Sequence, residues 1–159
     1  MDAAVKKKVL RRFTYGLYIV TVADGGEVNA FTANWLTHSS FEPPMLGLAL
    51  ENDARSLPMI LRAGAFAVKV VAEDGRELAG RMGRSSTRDP QKLANVEHSS
   101  GPLTGSPLLP QAAGWVECRL VSATPSGDHT LLLGEVVEAG EGREVAPLTM
   151  AEAGFRYSG

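Results

Sequence analysis

The sequence predicts a mainly β fold, an antiparallel β-barrel carrying a few short helices. Three observations lead to this reading. The chain holds 17 Gly and 9 Pro in 159 residues, which implies many turns rather than long helices. It shows about seven apolar or β-branched runs, most of them consecutive and separated by turn residues, a pattern of antiparallel neighbours rather than of a doubly wound sheet. About three short stretches carry helical spacing instead. At this length one domain spanning residues 1–159 is expected, and folding hides roughly 68–70% of the extended surface, enough for a sizeable core.

The elements follow in order. Val5, Val9, Leu10 and Phe13 recur at helical spacing, so residues 2 to 12 read as a short amphipathic helix that Tyr15-Gly16 breaks. Leu17 to Ala23 and Val28 to Trp35 are strand-like and flank Asp24-Gly25-Gly26, which makes a hairpin. Phe31 to Pro44 concentrates hydroxyls, an amide, an indole and an imidazole between two apolar strands and reads as a polar loop with the look of a ligand site. Glu42-Pro43-Pro44 ends that stretch and starts Met45 to Leu50 as a buried strand. Leu57 to Arg62 has helical spacing and stops at Gly64, with Asp53 or Ser56 as N-cap. Ala65 to Ala72 is a strand, and Gly75 to Met82 a short helix closed by Gly83, expected in the left-handed C-terminal conformation. Residues 84 to 113, rich in Ser, Gly and Pro, form a long connection with a functional or partner-covering role. Trp115 to Ala123 and Thr130 to Ala139 are the last long strands, joined by a Thr124 to Asp128 loop, and Pro147 to Met150 adds a short edge strand.

A net charge of -2 and a pI near 5.9 argue against a general electrostatic attraction to nucleic acid or an anionic membrane. The basic cluster of Lys6, Lys7, Lys8, Arg11 and Arg12 reads as a solvated helix face. The lone Cys118 excludes an internal disulfide framework and a cysteine-rich zinc site and suits a reducing compartment. No apolar run reaches signal-peptide or membrane-span character, so a cytoplasmic protein is expected.

Dinucleotide, Walker, zinc-protease and nucleophile-elbow patterns are absent, and His38, His98 and His129 lack metal-ligand spacing, so no metal is expected. What remains is a set of neutral donors, Thr32, Asn34, Thr37, Ser39, Ser40 and Ser56, with Arg55 as a planar fork suited to phosphate. A phosphorylated cofactor with a polar heteroaromatic ring would use both, with Trp35 as a wall; a core Trp35 and a solvated Arg55 account for these residues equally well.

The segment from Arg11 to Val71 resembles the first half of the flavin reductase-like, FMN-binding split-barrel family. The features that carry the likeness are Tyr15-Gly16, Thr32-Ala33-Asn34-Trp35 and Glu42-Pro43-Pro44. In the second half GSPLLPQAAGWVECRLV, GDHTLLLGEVVEAG and PLTM resemble the family's closing hairpin. The resemblance covers nearly the whole chain and is closest to short single-domain flavin reductases and flavoredoxins. It implies a split Greek-key barrel with FMN across a homodimer interface.

Residue by residue, the resemblance sets Thr32, Ala33, Asn34 and Trp35 against the flavin ring and ribityl chain, and Ser39 and Ser40 in contact with the cofactor near the Pro-Pro turn. It puts Arg55 and Ser56 on the phosphate, and the Gly83-Arg84-Ser85 loop beside the cofactor. His129, in Gly127-Asp128-His129, matches a position near the nicotinamide; its alternative is a strand-end histidine bonded to a neighbouring loop. Trp35 and His38 stand where many members have small residues, and a bulky indole would shield one flavin face.

The implied activity is NAD(P)H-dependent flavin reduction by hydride transfer to flavin N5, with delivery of reduced flavin or electrons to a redox partner protein or a flavin-dependent monooxygenase. Thr32, Asn34 and adjacent backbone N–H groups are the donors expected to stabilise charge on the reduced ring. Two other readings stay open: an FMN electron carrier that does not oxidise NAD(P)H, and a small-molecule-binding barrel without redox activity.

Overall fold

The computed structural model describes residues 1–156. The chain runs through α1 (Ala3–Leu10), β1 (Tyr18–Asp24), β2 (Glu27–Ala33), β3 (Leu36–Phe41), β4 (Pro44–Glu51), α2 (Ser56–Ala63), β5 (Ala65–Val70) and α3 (Arg76–Met82). It continues through the two-residue strands β6 (Ser99–Ser100) and β7 (Pro107–Leu108), the long hairpin β8 (Gly114–Ser126) and β9 (His129–Glu141), and α4 (Met150–Ala153).

Seven strands form one antiparallel sheet in the order β2-β1-β5-β8-β9-β4-β3. Its two edges, β2 and β3, are consecutive in the chain and are not hydrogen-bonded to each other as strands. The sheet is therefore open between them, a split barrel. Side chains from opposite ends of the strand order, Val20 and Val22 of β1 and Leu46 and Leu48 of β4, share one core with Phe66, Cys118 and Leu132, so the sheet curls around a common interior.

The period of two along β1 sorts its side chains into two layers. Val20 and Val22 enter the barrel, while Leu17 and Ile19 pack outside against Ala79 and Met82 of α3 and Leu93 and Leu109 of the 84–113 connection. That connection thus covers the outer face of the sheet. Buried polar bonds pin it there. The Glu117 carboxylate accepts from Leu103 N (3.1 Å) and from Thr104 N and Oγ1 (2.7 and 2.6 Å), and Thr21 Oγ1 donates to Pro107 O (2.7 Å). Lys69, fully buried, donates to Thr21 Oγ1 and to Ala67 O; burial holds its ammonium pKa well below the usual lysine range.

Several expectations change. Phe31 to Pro44 is not a polar loop: its centre is the edge strand β3, whose hydroxyls are tolerated because an edge has neighbours on one side only, and whose register shifts between His38 and Ser40. The N-cap of α2 is Arg55, with no side-chain cap bond, rather than Asp53 or Ser56; Ser56 is the first helical residue and its hydroxyl is engaged elsewhere. Gly64 closes α2 in the left-handed conformation as expected, but Gly83 does not: its φ is -71°, and a Cβ there would lie 3.3 Å from Ala79 O. The β8–β9 strands run on to Ser126 and His129, which shortens the connecting turn to Gly127-Asp128. Pro147 and Thr149 make only isolated bridges, because the Thr149–Glu152 capping box starts α4 at Met150.

Candidate functional site

Beside the junction of the two sheet edges lies a cleft of about 450 Å³. Four separated parts of the chain build it: the β2–β3 crossover, the end of β4 with the start of α2, the turn that follows α3, and the start of β9. Nine of the residues singled out in the sequence line this one cleft. They are Thr32, Ala33, Asn34 and Trp35 from the crossover, Arg55 and Ser56 from α2, Arg84 and Ser85 from the turn, and His129 from β9. Ser39 and Ser40 lie outside it, on β3, as does the exposed His38.

One edge of the cleft is built for an anion. The first turn of α2 has no side-chain cap and no acidic residue; Leu57 N donates to Ala54 O at 3.0 Å, and Glu51 and Asp53 line the cleft just before the helix. Arg55 stands at that end, ion-paired with Glu27 at 3.1 Å across a partly exposed surface. Opposite is the turn 84–88, in which Ser85 O accepts from Arg88 N and Asp89 N, and Arg84 meets Asp89 at 3.4 Å. The hydroxyls of Ser85, Ser86 and Thr87 and the Lys92 ammonium share this edge.

The two sides of the anion edge are tied by a buried relay. Asn29 Nδ2 donates to Ser56 Oγ at 2.8 Å, and Asn29 Oδ1 accepts from Ser86 Oγ at 3.0 Å. Thr32 Oγ1 donates to Ala79 O of α3 at 2.6 Å, so this hydroxyl offers a ligand its lone pairs while its hydrogen is used within the fold. The other edge is aromatic. The Trp35 and His129 rings sit 4.7 Å apart, tilted by 36°, and His129 Nδ1 contacts Asp128 Oδ1 at 2.6 Å. That bond, with the nearby imidazole charge, lowers the Asp128 carboxyl below the usual range. Asn34 Nδ2 points to the Met150 sulfur at 3.1 Å, a weak acceptor. Trp35 also borders a second cavity of about 830 Å³, between the Phe13 to Tyr15 segment and Met150 with Phe155, and so forms the partition between the two.

Sequence reasoning missed Asn29, Ser86, Thr87 and Lys92. Asn29 had a usable signal, a polar residue in an apolar strand; Lys92, in Asp89-Pro90-Gln91-Lys92, had none. A cleft of this volume falls in the range of cofactor sites. Its uncapped helix end, cations and hydroxyls fit a phosphate, and its indole and imidazole fit a flat ring system.

A split antiparallel barrel with cations and hydroxyls at one edge of a cleft and aromatic rings at the other is an arrangement suited to a nucleotide-type cofactor. The family model for the flavin reductase like domain matches residues 10–159, and the chain belongs to that family. It is 34% identical over 142 residues to the reductase subunit of a flavin-dependent monooxygenase from Rhodococcus jostii, covering 89% of this chain and 71% of that one. Among solved structures it resembles the flavin reductase component of a bacterial two-component tryptophan halogenase, with a TM-score of 0.85, 31% identity, and 98% and 97% of the two chains covered. A Streptomyces globisporus NADH:FAD oxidoreductase in complex with NAD and FAD fragments matches with a TM-score of 0.86 at 27% identity, over 99% and 93%. The chain spans 51% of a longer oxidoreductase from Sinorhizobium meliloti 1021 with the same fold. Among the described residues no helix is long and apolar enough to cross a membrane.

Proposed function

We propose that this chain is a flavin reductase that binds FMN in the 450 Å³ cleft, oxidises NAD(P)H there, and supplies reduced flavin or electrons to a partner such as a flavin-dependent monooxygenase. The observation that carries this reading is the convergence of four separate segments on a cleft with an anion edge at one side and two tilted, adjoining rings at the other. A bound flavin supplies two-electron acceptor chemistry for a nicotinamide donor. The chain's own residues place it: Arg55, Ser56 and the 84–87 turn hold the phosphate, while Asn34 and Trp35 orient the ring. His129, held by Asp128 and packed on Trp35, borders the space left for the nicotinamide.

The names of the relatives support this assignment, since one is a monooxygenase subunit and another a halogenase component. A homodimer completes the reading. Val5, Val9 and Phe13 of the α1 region and Phe41 at the β3–β4 turn are exposed apolar groups that a second copy would cover. A cytoplasmic location, where NAD(P)H is available, is part of the same proposal.

The test is anaerobic oxidation of NADH and of NADPH by the purified chain with FMN or FAD, alongside light scattering for oligomeric state. Turnover above the free-flavin background with a preference for FMN is expected. Stoichiometric FMN binding without nicotinamide oxidation would replace the reductase by an electron carrier, and no flavin uptake at all would leave a binding barrel without redox activity.

A further inference from the structure

Lys92 is the one buried cation at the edge of the cleft whose role the reaction does not explain. It is 2% exposed, yet it borders the cleft. Its Nζ donates to Met82 O at 2.8 Å and to Arg84 O at 2.7 Å. Those carbonyls lie on either side of Gly83, the last carbonyl of α3 and the first of the turn. A single ammonium therefore fastens the helix end to the turn, and does so with no carboxylate in ion-pair range among the described residues. A buried ammonium without a counter-ion is costly. The sequence tolerates it at the position where the cleft's hydroxyls and helix amides also collect, and a doubly charged anion bound there would supply the missing counter-charge.

We propose that Lys92 is a positioning residue of the flavin cleft: by clamping Met82 O and Arg84 O it sets the 84–87 turn to receive the cofactor's terminal phosphate, and its ammonium is the counter-charge behind that turn. This rests on the reading that the cleft holds a phosphorylated flavin. The charged groups that act on Lys92 are Asp89 from the turn and Arg55 from the start of α2; Arg84 pairs with Asp89, and Arg81 donates to Ala94 O. Glu51, Asp53 and His129 border the same cleft. Burial, aided by the Arg55 guanidinium and opposed by Asp89, lowers the Lys92 pKa to about 8. A phosphate dianion favours the charged amine and raises that pKa, so binding takes up a proton once the free protein begins to lose it. Affinity for a phosphorylated flavin is then level from about pH 7, where the phosphate is a dianion, to about pH 8 and weakens above it, approaching about tenfold per pH unit for one proton.

The experiment is a fluorescence titration of FMN and of riboflavin, which lacks the phosphate, from about pH 7 to 9.5 on the full chain and its Lys92→Arg and Lys92→Met variants. Wild type should show the alkaline loss for FMN and not for riboflavin. Lys92→Arg, charged throughout, should bind FMN without the loss, and Lys92→Met should bind FMN about 10-fold or more weakly at pH 7, as for a lost charged contact, with riboflavin little changed. An alkaline loss that persists in Lys92→Arg, or that riboflavin shares, overturns the proposal, and this comparison stands even where Lys92→Met does not fold. Wild type that binds neither flavin at any pH rejects the flavin reading itself, whereas wild type that binds FMN with both variants matching its pH profile rejects only the role of Lys92.

Discussion

Asn29→Ala tests whether the cleft is held together by the buried relay. The side chain is 4% exposed, and it joins β2 both to the first residue of α2 and to the turn after α3. Truncation removes two neutral hydrogen bonds, each worth about 1 kcal/mol net. It also takes the donor from the Ser56 hydroxyl, which is 1% exposed. An unsatisfied buried group adds about 1–2 kcal/mol. The expected loss is therefore about 2–4 kcal/mol, which for a chain of this size lowers the thermal midpoint by roughly 5–15 °C. Urea denaturation of the flavin-free protein measures it without ligand linkage. Ser86→Ala removes one of the two bonds, leaves Ser56 satisfied and takes the donor from the buried Asn29 Oδ1, so it should cost about 1–3 kcal/mol. The double variant should then cost no more than Asn29→Ala alone, since the Ser86 bond is already gone. Weakened FMN binding should accompany Asn29→Ala because the turn loses its tie to α2. An Asn29→Ala variant within about 0.5 kcal/mol of wild type, or full additivity in the double variant, would refute the relay.

Three further outcomes follow from the core. Gly134→Ala puts a Cβ 2.6 Å from Phe66 Cζ and 3.0 Å from Cys118 Cβ, inside a buried cluster. The overpacking should cost about 1–3 kcal/mol, read as a lower urea midpoint at unchanged m value. Cys118, buried and with its thiol pushed up to about 12, chiefly by burial, should resist a disulfide exchange reagent at pH 8 until the protein unfolds; prompt native-state labelling would contradict this. Lys69 has a folded-state pKa depressed by burial, so the unfolded chain binds more protons in the interval from that value up to the ordinary ~10.4. Stability contributed by this group therefore rises with pH through that interval, and Lys69→Met should abolish the rise on the alkaline side below the ordinary lysine value. Parallel pH dependence in the two proteins by chemical denaturation would show that the lysine does not carry it.

The local code was legible where one residue's neighbours in sequence are also its neighbours in space. Apolar and β-branched runs bounded by turn residues located β1, β4, β5, β8 and β9, helical spacing located α2, and Gly64 stopped it in the left-handed conformation. Hydroxyls in 36–41 suggested a loop, because turn and edge-strand chemistry use the same residues and only strand pairing tells them apart. The segments that line the cleft could be named from the chain's resemblance to flavin reductases, yet their meeting depends on the strand order β2-β1-β5-β8-β9-β4-β3 and on the curl that brings β1 and β4 to one core.

Residues that act across that distance left little trace in the sequence. Asn29 meets Ser86 57 positions away, and the Lys92 clamp takes its sense from where α3 ends against the sheet. Ser39 and Ser40 carry the same hydroxyls as Ser56 and Ser85, but β3 lays them outside the cleft. The sequence by itself determined most of the element types, the barrel class and the chemical kinds of group available to a ligand, because propensity and periodicity are local. Only the tertiary structure decided which of those groups share one cleft and which cation stands buried behind its phosphate edge, because burial and counter-charge are properties of neighbours brought together by the folded sheet.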